Sequence, residues 1–437
     1  MRRVAVIGSG ISGLSVAHGL AREARVTLFE AGDYFGGHTH TVDLTLDGVT
    51  HGVDTGFLVL NERTYPNLLR LLAQLGVEIA KSDMSFSVQV PAASGRRGLE
   101  WSGCDLNTVF AQRTNLLRPR FWRMLSDLLR FNKLATALAE SGEAAPLDQP
   151  IGDFLRQHRF SDEFRDWYFL PMIGCIWSCP VDQMLRFPVA TMIRFCHNHG
   201  LLQIADRPQW YTVRGGARTY VRKMLQAIPD ARLNTPVRGV RRLVGGDGPS
   251  VLVATDQGTE RFDEVVMACH SDQSLALLTD ARADETATLG AIRYHRNRAV
   301  LHTDTTLLPR RRLAWAAWNY ERASTDSREQ ASVCLHYLLN RLQPLPFTTP
   351  VVVSLNPVRE PRADSVHAEF DYAHPVFDQA AIAAQRRVPA LQGRDHTWFC
   401  GAWTRHGFHE DGLMSGLAVC DGLRAAWACA EPVPEAA

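Results

Sequence analysis

The first thirty residues carry the pattern that most restricts the fold of this chain. Residues 4–7 form an apolar run typical of a buried parallel strand, and Gly8-Ser9-Gly10-Ile11-Ser12-Gly13 follows without a break. Residues 14–24 then have a helical pattern, and a second apolar run, residues 26–29, ends at the acidic Glu30. Strand, glycine-rich turn, helix and strand in this order predict a βαβ unit that binds a dinucleotide.

The glycines have distinct roles in such a unit. Gly8 permits the tight turn, Gly10 lets a pyrophosphate approach the backbone, and Gly13 lets the helix pack closely on the strand. The helix N-terminus offers free N–H groups and a positive dipole to the phosphates. Glu30 is placed to bind the ribose hydroxyls, and its charge disfavours a 2′-phosphate.

The segments that follow carry the motifs on which the choice between FAD and NAD as the bound dinucleotide depends. A double glycine, Gly36-Gly37-His38, comes after a short loop, and residues 41–53 alternate around an Asp47-Gly48 turn that predicts a hairpin. Asp54-Thr55-Gly56 then leads into an amphipathic helix over residues 68–75.

In this order, the motifs resemble those of the flavin-containing amine oxidase superfamily, which includes phytoene-desaturase-like and protoporphyrinogen-oxidase-like enzymes and flavin fatty-acid isomerases. The chain resembles more closely a bacterial group of predicted NAD/FAD-binding proteins found beside cyclopropane-fatty-acyl-phospholipid synthase-like methyltransferases. The matching segments span nearly the whole chain and are Gly36-Gly37-His38-Thr39, Asp54-Thr55-Gly56-Phe57, residues 61–67, Tyr294-His295-Arg296-Asn297, Leu301-His302-Thr303-Asp304, Trp318-Asn319-Tyr320 and His409-Glu410-Asp411-Gly412.

The resemblance implies one FAD, bound non-covalently because no cysteine has an attachment signature. Its implied contacts are Gly8, Gly10, Ile11, Ser12, Gly13, Glu30, Ala31, Gly36, Gly37, His38, Thr39, Thr55, Gly56, Phe57, Val237, Asp411, Gly412, Leu413 and Ser415. In the superfamily an arginine usually follows the double glycine and touches the FAD diphosphate; His38 stands at that position here. Val237 is implied to lie against the adenine through its backbone.

The C-terminal segment predicts the flavin end of the site. Residues 397–403 read as a buried strand, and Asp411, a good N-cap, opens a predicted helix that reaches about residue 429. Gly412 and Ser415 are small enough for a planar ring to approach. The positive end of the helix would stabilise negative charge on a reduced flavin.

The predicted fold class is α/β, with a discontinuous Rossmann-type FAD-binding domain and a mixed α+β substrate domain of the amine-oxidase kind. The predicted FAD-binding domain comprises residues 1–85, 205–285 and 395–437, and the predicted substrate-binding domain comprises residues 86–204 and 286–394. No second GxGxxG occurs in the sequence, and residues 245–248 indicate a turn between strands. The missing second motif favours electron transfer to an acceptor other than a pyridine nucleotide, without excluding NAD(P)H.

The substrate segments are rich in apolar residues. Residues 121–134 have an amphipathic helical pattern with basic residues on the polar side, which leaves a peripheral membrane contact open. Apolar residues between 167 and 202 are typical of ordinary core, and an acyl-chain cavity needs the same residue types. Composition alone does not separate these two interpretations.

Candidate catalytic residues lie before the last helix and on one strand of the substrate domain. His406, His409 and Glu410 could act as acid or base near the flavin ring, or be polar loop residues. Amine oxidases commonly place a lysine near flavin N5, and rough alignment puts Arg298 at that position, where arginine cannot act as a base. Two close histidine pairs lack carboxylate partners at a metal spacing, so no metal is predicted.

Overall charge and cysteine content limit which partners and which cellular compartment are expected. The 47 basic and 46 acidic residues nearly cancel to a formal charge of +1, so no broad nucleic-acid-binding surface is expected. Nine scattered cysteines, Cys175 and Cys179 among them, favour a reducing cytoplasm without a disulfide framework. We expect a cytoplasmic protein with at most peripheral contact to the inner membrane face.

Three functions follow as hypotheses. The first is hydride transfer between flavin N5 and a carbon of an apolar substrate, with a fatty acyl chain as the expected substrate and desaturation, saturation or isomerisation as the reaction. The second is amine oxidation with release of peroxide. The third is a non-catalytic, flavin-bound partner of a lipid methyltransferase.

Overall fold

The structure is a computed structural model, and it describes residues 1–92, 98–141, 149–177, 180–203, 207–243, 250–322 and 333–430. Cys179 and the turn predicted at residues 245–248 lie outside the described residues.

Strands form two main sheets and three small ones. They are β1 (Arg3–Ile7), β2 (Arg25–Phe29), β3 (Thr41–Leu46), β4 (Val49–Asp54), β5 (Leu60–Asn61), β6 (Ile79–Ser82), β7 (Phe86–Val90), β8 (Leu99–Ser102), β9 (Trp210–Val213), β10 (Asp230–Arg232), β11 (Val237–Arg242), β12 (Val251–Thr255), β13 (Gly258–Phe262), β14 (Glu264–Met267), β15 (Tyr294–His302), β16 (Trp318–Glu321), β17 (Cys334–Leu338), β18 (Val352–Leu355), β19 (Val366–Pro375) and β20 (Thr397–Phe399).

Helices lie between the strands and in one long stretch between β8 and β9. They are α1 (Ile11–Leu20), α2 (Pro66–Gln74), α3 (Leu106–Val109), α4 (Pro119–Ser141), α5 (Ile151–Gln157), α6 (Asp162–Phe164), α7 (Leu170–Trp177), α8 (Val181–Leu185), α9 (Val189–Asn198), α10 (Arg218–Leu225), α11 (Ser271–Leu277), α12 (Ala283–Leu289), α13 (Leu339–Leu342), α14 (Gln379–Gln385) and α15 (His409–Ala430). A π-helical turn, Arg165–Phe169, connects α6 to α7, and short 3-10 turns complete the connections.

The first main sheet is parallel throughout and has the strand order β10-β2-β1-β14-β20. Apart from the half-buried edge strand β10, its strands are mostly buried on both faces, as expected when helices cover a parallel sheet. All five strands come from the segments predicted for FAD binding, and α1 follows β1 as the glycine-rich motif indicates. This arrangement confirms the predicted α/β class with a Rossmann-type sheet.

The second main sheet has seven strands in the order β19-β15-β18-β17-β16-β7-β8. Its pairs are antiparallel except for the parallel pair of β16 and β7. All seven strands come from the segments predicted for the substrate domain. The exact domain boundaries stay a prediction.

The predicted hairpin at residues 41–53 is present as β3 and β4. Asp47 and Gly48 both have positive φ, 53° and 76°, which is the backbone that a two-residue turn of this handedness requires. The predicted strand at residues 397–403 is shorter, because a 3-10 turn, Ala402–Thr404, follows β20.

One large apolar core spans the helical region, α1 and α15, while a second lies between the parallel sheet and β11–β13. Within the described ranges, every helix is too short or too polar to cross a bilayer.

Candidate active site

A cavity of about 800 Å³ lies between the two main sheets. One end is lined by the turn after β1 and the end of β2, and the other by β7, β16, β17, β18 and the helical region. The predicted site residues that line it are Gly8, Gly10, Ile11, Ser12, Glu30, Ala31, Gly36, Gly37, His38, Thr55, Gly56, Phe57, Val237 and His409. The two ends predicted to hold a dinucleotide and a substrate therefore share one cavity.

The turn after β1 leaves room for a ligand at one glycine and packs tightly at another. A Cβ built on Gly10 would meet no heavy atom within 4 Å, so its open side faces the cavity. A Cβ on Gly13 would lie 1.9 Å from the carbonyl oxygen of Gly8. Gly13 does not line the cavity; it brings α1 against β1, as predicted for the third glycine of the motif.

Glu30 closes the end of β2 beside this turn. One carboxylate oxygen accepts a hydrogen bond from the Ser9 backbone N–H at 3.0 Å, and the other accepts from the Gly32 N–H at 2.8 Å. The carboxylate thus orients the loop while it lines the cavity. Contact of Glu30 with a ribose stays a prediction.

His38 is half-buried and lines the cavity next to the double glycine. Its Nε2 atom has no hydrogen-bond partner. Burial lowers the pKa of His38 well below its usual value, and the nearby His374 and His270, 5.3 and 6.4 Å away between ring centroids, lower it further. A buried polar atom without a partner and a glycine cradle open to the cavity are the features that a bound phosphate-containing cofactor would satisfy.

His409 is the one predicted catalytic residue that lines the cavity. Its ring stacks on Phe57 with 3.9 Å between centroids, and its Nε2 lies 2.6 Å from the Tyr220 hydroxyl. That hydroxyl also lies 2.6 Å from Oγ1 of Thr39, so Thr39 is a buried partner of Tyr220 and does not line the cavity. Burial lowers the pKa of His409 to about 3, so its imidazole is neutral at physiological pH.

The start of α15 differs from the sequence prediction. The helix begins at His409, so Asp411 is its third residue and not its N-cap; its carboxylate accepts a hydrogen bond from the Phe408 N–H at 3.0 Å. A Cβ on Gly412 would lie 2.8 Å from Cγ2 of Ile11. The small residue therefore lets α15 pack on α1.

Leu413 and Ser415 also face the interior of the protein. Leu413 is buried, and the Ser415 hydroxyl accepts a hydrogen bond from the Gly401 N–H at 2.9 Å. None of the predicted contacts between 411 and 415 lines the cavity. Contact of these residues with the flavin stays a prediction; the described residues that line the cavity there are Gly407, Phe408 and His409.

Two further predicted catalytic residues, Glu410 and His406, do not line the cavity. Glu410 accepts hydrogen bonds from the backbone N–H groups of Asn67 and Leu68, both at 2.9 Å, so it caps the first turn of α2. His406 is not a lining residue, and its buried Nδ1 has no partner. These contacts favour the interpretation of Glu410 as a cap and leave His409 as the best placed acid or base.

Arg298 does not line the cavity, and a place near the flavin stays a prediction for it. Its guanidinium forms paired contacts with Glu360 at 2.9 Å and with Glu369 at 2.8 and 2.9 Å on the protein surface. The neighbouring Asn297 is buried and contacts His374 at 2.8 Å. Because side chains alternate along a strand, the two residues point to opposite faces of β15.

The second part of the cavity is apolar. Its lining side chains are Phe57, Met84, Phe86, Met172, Cys175, Ile176, Phe195, Leu201, Trp318, Tyr337, Val353 and Leu355. Among the described lining residues, Glu30 is the only Asp, Glu, Lys or Arg, and it lies at the opposite end. Several residues that composition left between core and pocket thus face the cavity, while Met192 and Ile193 are core.

Sequence reasoning did not single out Tyr220, Tyr372, His374 or His270. Tyr372 and His374 stand two residues apart on β19 and therefore share a face, and both line the cavity. The two-residue spacing was the sequence signal that could have placed Tyr372 and His374 on one face. The Tyr220 contact with His409 joins residues 189 positions apart, which no local pattern reveals.

A separate buried cluster in the seven-stranded sheet has ligand types that metals accept. His336 Nε2 lies 3.0 Å from Glu321 Oε2 and 3.5 Å from Cys334 Sγ. Burial lowers the pKa of His336, but Cys334 and Glu321 raise it to about 9. A protonated His336 that donates to the Glu321 carboxylate accounts for this cluster.

Similarity to known proteins agrees with this geometry. Residues 11–327 match the family of flavin-containing amine oxidoreductases. A coproporphyrinogen III oxidase of Propionibacterium freudenreichii subsp. freudenreichii is 30% identical over 194 residues, which cover 43% of this chain and 34% of that protein. The match thus spans about a third of the length of this curated relative.

Two solved structures illustrate the shared fold. The CLA-producing fatty acid isomerase from P. acnes has a TM-score of 0.64 at 14% identity, over 97% of this chain and 98% of the other. Cyclohexylamine oxidase from Brevibacterium oxydans IH-35A has a TM-score of 0.65 at 18% identity, over 97% and 99%. At these identities the likeness shows the fold alone. The family match covers most of the chain, and the chain belongs to the flavin-containing amine oxidoreductase family as an FAD-dependent oxidoreductase.

Proposed function

We propose that this oxidoreductase transfers a hydride between flavin N5 and a carbon of an apolar substrate, with a fatty acyl chain as that substrate. The reaction would be desaturation, saturation or a double-bond shift. The observation that carries the proposal is the apolar end of the cavity, whose described lining offers no charged side chain to a cationic or anionic group. An uncompensated charge in such surroundings is costly, whereas methylene groups gain free energy there.

In this proposal the chain itself binds, orients and excludes water. The turn after β1 would hold the diphosphate, and His38 would donate or accept at Nε2 toward the cofactor. When bound, FAD supplies the hydride acceptor or donor. His409, neutral and fixed at Nε2 by Tyr220, could hold or move a proton at Nδ1. The cofactor is proposed to be held without a covalent bond.

The test is anaerobic reduction of the purified yellow protein. We expect long-chain acyl lipids to bleach the flavin absorbance and mono- or polyamines not to do so. An isomerase returns the hydride, and a saturating enzyme needs flavin that is already reduced, so neither would bleach oxidised flavin. Lipid products formed with oxidised protein and with dithionite-reduced protein are therefore also analysed for double-bond position and number. Bleaching by amines alone, with no change in any lipid, would contradict the proposal.

A matched pair of variants tests whether the acyl chain occupies the apolar end. Val353 on β18 lines the cavity and is nearly fully buried. Val353→Phe should shorten the longest chain that is accepted, and Val353→Ala should lengthen it, because the two changes alter the cavity volume in opposite directions. Unchanged chain-length preference in both variants would argue against this substrate position.

Amine oxidation stays a second candidate because of one observation. Trp318 and Tyr337 both line the cavity, edge to face, with 4.8 Å between ring centroids. Aromatic rings can hold a substrate nitrogen. Peroxide release with amines, lost in Trp318→Leu, would favour this function over acyl chemistry.

A non-catalytic role beside a lipid methyltransferase is the third candidate. It predicts tight FAD, a stable complex with that enzyme and no substrate-dependent change of flavin or lipid. We propose turnover instead, since the chain is an FAD-dependent oxidoreductase by family. A cytoplasmic location is proposed as well: the eight cysteines in the described part of the chain are free thiols.

A further inference from the structure

Exposed apolar side chains are concentrated in one region of the molecule. Of the ten large hydrophobic side chains that are exposed in the described residues, five belong to residues 106–129 and a sixth is Leu313. Leu106 and Leu117 are the most extreme, at 79% and 87% exposed. Single exposed leucines need no explanation, but a concentration of this kind indicates an interaction surface.

The turns that bear these side chains form one continuous surface. α3 is followed by the 3-10 turn Arg113–Leu117 and then by α4. The Trp122 indole N–H donates to the Leu116 carbonyl at 2.9 Å, and the Arg113 guanidinium donates to the Phe110 carbonyl at 2.9 Å. These bonds hold the start of α4 and the end of α3 against the turn between them.

Glu100 attaches the second segment to this surface. Its buried carboxylate accepts a hydrogen bond from the Arg310 backbone N–H at 2.9 Å and from the Arg311 guanidinium at 2.8 Å. Its carbonyl accepts from the Asn115 side chain at 3.3 Å. The turn at residues 310–313 therefore lies beside the turn at 113–117, and Leu313 joins the other exposed leucines.

The surface is basic as well as apolar. Residues 98–118 and 309–315 contain four exposed arginines, which are Arg113 and Arg310 to Arg312, against two acidic residues. One of these is the buried Glu100, already paired with Arg311, and the other is Asp105, which caps α3. We call these arginines, together with Leu106, Leu116, Leu117, Trp122 and Leu313, the Leu/Arg face.

We propose that the Leu/Arg face docks on a bilayer that contains anionic phospholipids. Leucine tips on short turns and a tryptophan are side chains that enter the interfacial layer, and arginines around them are attracted to anionic head groups. The charge complementarity favours a lipid surface over an uncharged partner.

The contact differs from the one that the sequence pattern left open, which was through the helix over residues 121–134. The apolar side of α4, including Phe121, Met124 and Phe131, is buried in the protein. The helix therefore does not lie in the interface with that side; the turns before it and beside it would make the contact.

The face is also close to the substrate end of the cavity. Phe86 lines the cavity, Trp101 packs edge-on against Phe86 at 6.1 Å between centroids, and Phe121 at the start of α4 packs against Trp101 at 6.3 Å. Docking through this face would bring the apolar end of the cavity near the membrane. Membrane docking is separate from the redox chemistry, and vesicle binding can be measured without turnover.

The test is co-sedimentation of the FAD-loaded full chain with vesicles of phosphatidylcholine and phosphatidylglycerol in equal parts, and with vesicles of phosphatidylcholine alone. We expect binding to the anionic vesicles that weakens with salt. Leu106→Glu combined with Leu117→Glu should weaken it by about tenfold or more, since each leucine leaves the apolar phase and gains a repelled charge. Arg310→Gln combined with Arg312→Gln should weaken it about fivefold for each arginine.

The matched control is Leu417→Glu on α15, an exposed leucine outside the Leu/Arg face, which should bind as the unmodified protein does. If the double leucine variant fails to retain FAD and its circular dichroism, Leu117→Ser takes its place. Equal binding of unmodified protein and leucine variants would overturn the proposal. So would no binding to either vesicle, or self-association through this face seen by light scattering.

Discussion

Two alanine substitutions in one loop separate the packing role of the glycine motif from its ligand role. In Gly13→Ala, the new methyl would lie 1.9 Å from the Gly8 carbonyl oxygen and 3.1 Å from Cβ of Ala268, whereas ordinary contact begins at 3.4 Å. α1 would have to move away from β1 by about 1.5 Å to accept it, which opens a close-packed interface. We expect the free energy of unfolding of the apoprotein to fall by about 3 kcal/mol or more.

Gly10→Ala is the matched comparison. Its Cβ would meet no heavy atom within 4 Å, and the backbone at φ −60° and ψ 174° is open to alanine. The apoprotein should therefore keep its stability to within about 1 kcal/mol. FAD affinity should drop, because the methyl occupies the side of the loop that faces the cavity.

Urea unfolding of the apoproteins, followed by circular dichroism, measures the first quantity, and titration with FAD measures the second. The reasoning fails if Gly13→Ala unfolds at the same urea concentration as the unmodified chain. It fails equally if Gly10→Ala binds FAD with unchanged affinity, since the loop would then not approach the cofactor.

Four further predictions follow from the same structure. Arg298→Gln should leave the flavin spectrum and reduction unchanged and cost less than about 1 kcal/mol in thermal unfolding, because the guanidinium makes surface ion pairs. Tyr220→Phe should cost about 1–2 kcal/mol in urea unfolding by leaving His409 without its partner, and an unchanged midpoint would contradict the buried contact. His38→Ala should weaken FAD binding in a calorimetric titration while Arg298→Gln, as control, does not. Burial raises the pKa of Asp54 to about 7, well above its unfolded value, so unfolding free energy should fall by up to roughly 4 kcal/mol from about pH 4 to pH 8. Asp54→Asn should flatten that dependence in denaturation curves taken across this range.

The parts of the fold that the sequence predicts are those coded by local backbone chemistry. The strand–turn–helix at Gly8–Gly13 needs three glycines at fixed offsets, and the Asp47-Gly48 hairpin needs positive φ at both residues. Such signals survive without tertiary information, and both elements are present in the structure.

Sequence patterns do not settle the place of a side chain where a shift of one residue changes the direction it faces or its position in a helix. Along β15 the side chains alternate, so a displacement of one position exchanges the surface residue Arg298 for the buried Asn297. At α15, an aspartate near a helix start can be the N-cap or the third residue that bonds back to the cap, and Asp411 is the latter. Pattern alone does not decide between these alternatives.

The small residues Gly412 and Ser415 show a second limit of prediction from sequence. Close approach of a flavin and close approach of another helix both require the absence of a side chain, so the two have one signature. The structure assigns Gly412 to the contact with α1, where Ile11 and Ser12 lie near the position of its missing Cβ. The cavity is reached one turn earlier, by Phe408 and His409.

In the superfamily an arginine usually follows the double glycine. The histidine at that position in this chain, His38, has the largest physical consequence for the site. A guanidinium at this position would bring a fixed positive charge, whereas burial keeps His38 neutral, and the pKa of His374 beside it is lowered by burial to about 4. The described lining of the cavity then holds no fixed positive charge. A diphosphate bound there would depend on the N–H groups and dipole at the start of α1 and on neutral imidazole donors. Among the described lining residues of the substrate end there is likewise no Asp, Glu, Lys or Arg, so a substrate held there would be bound by apolar contact.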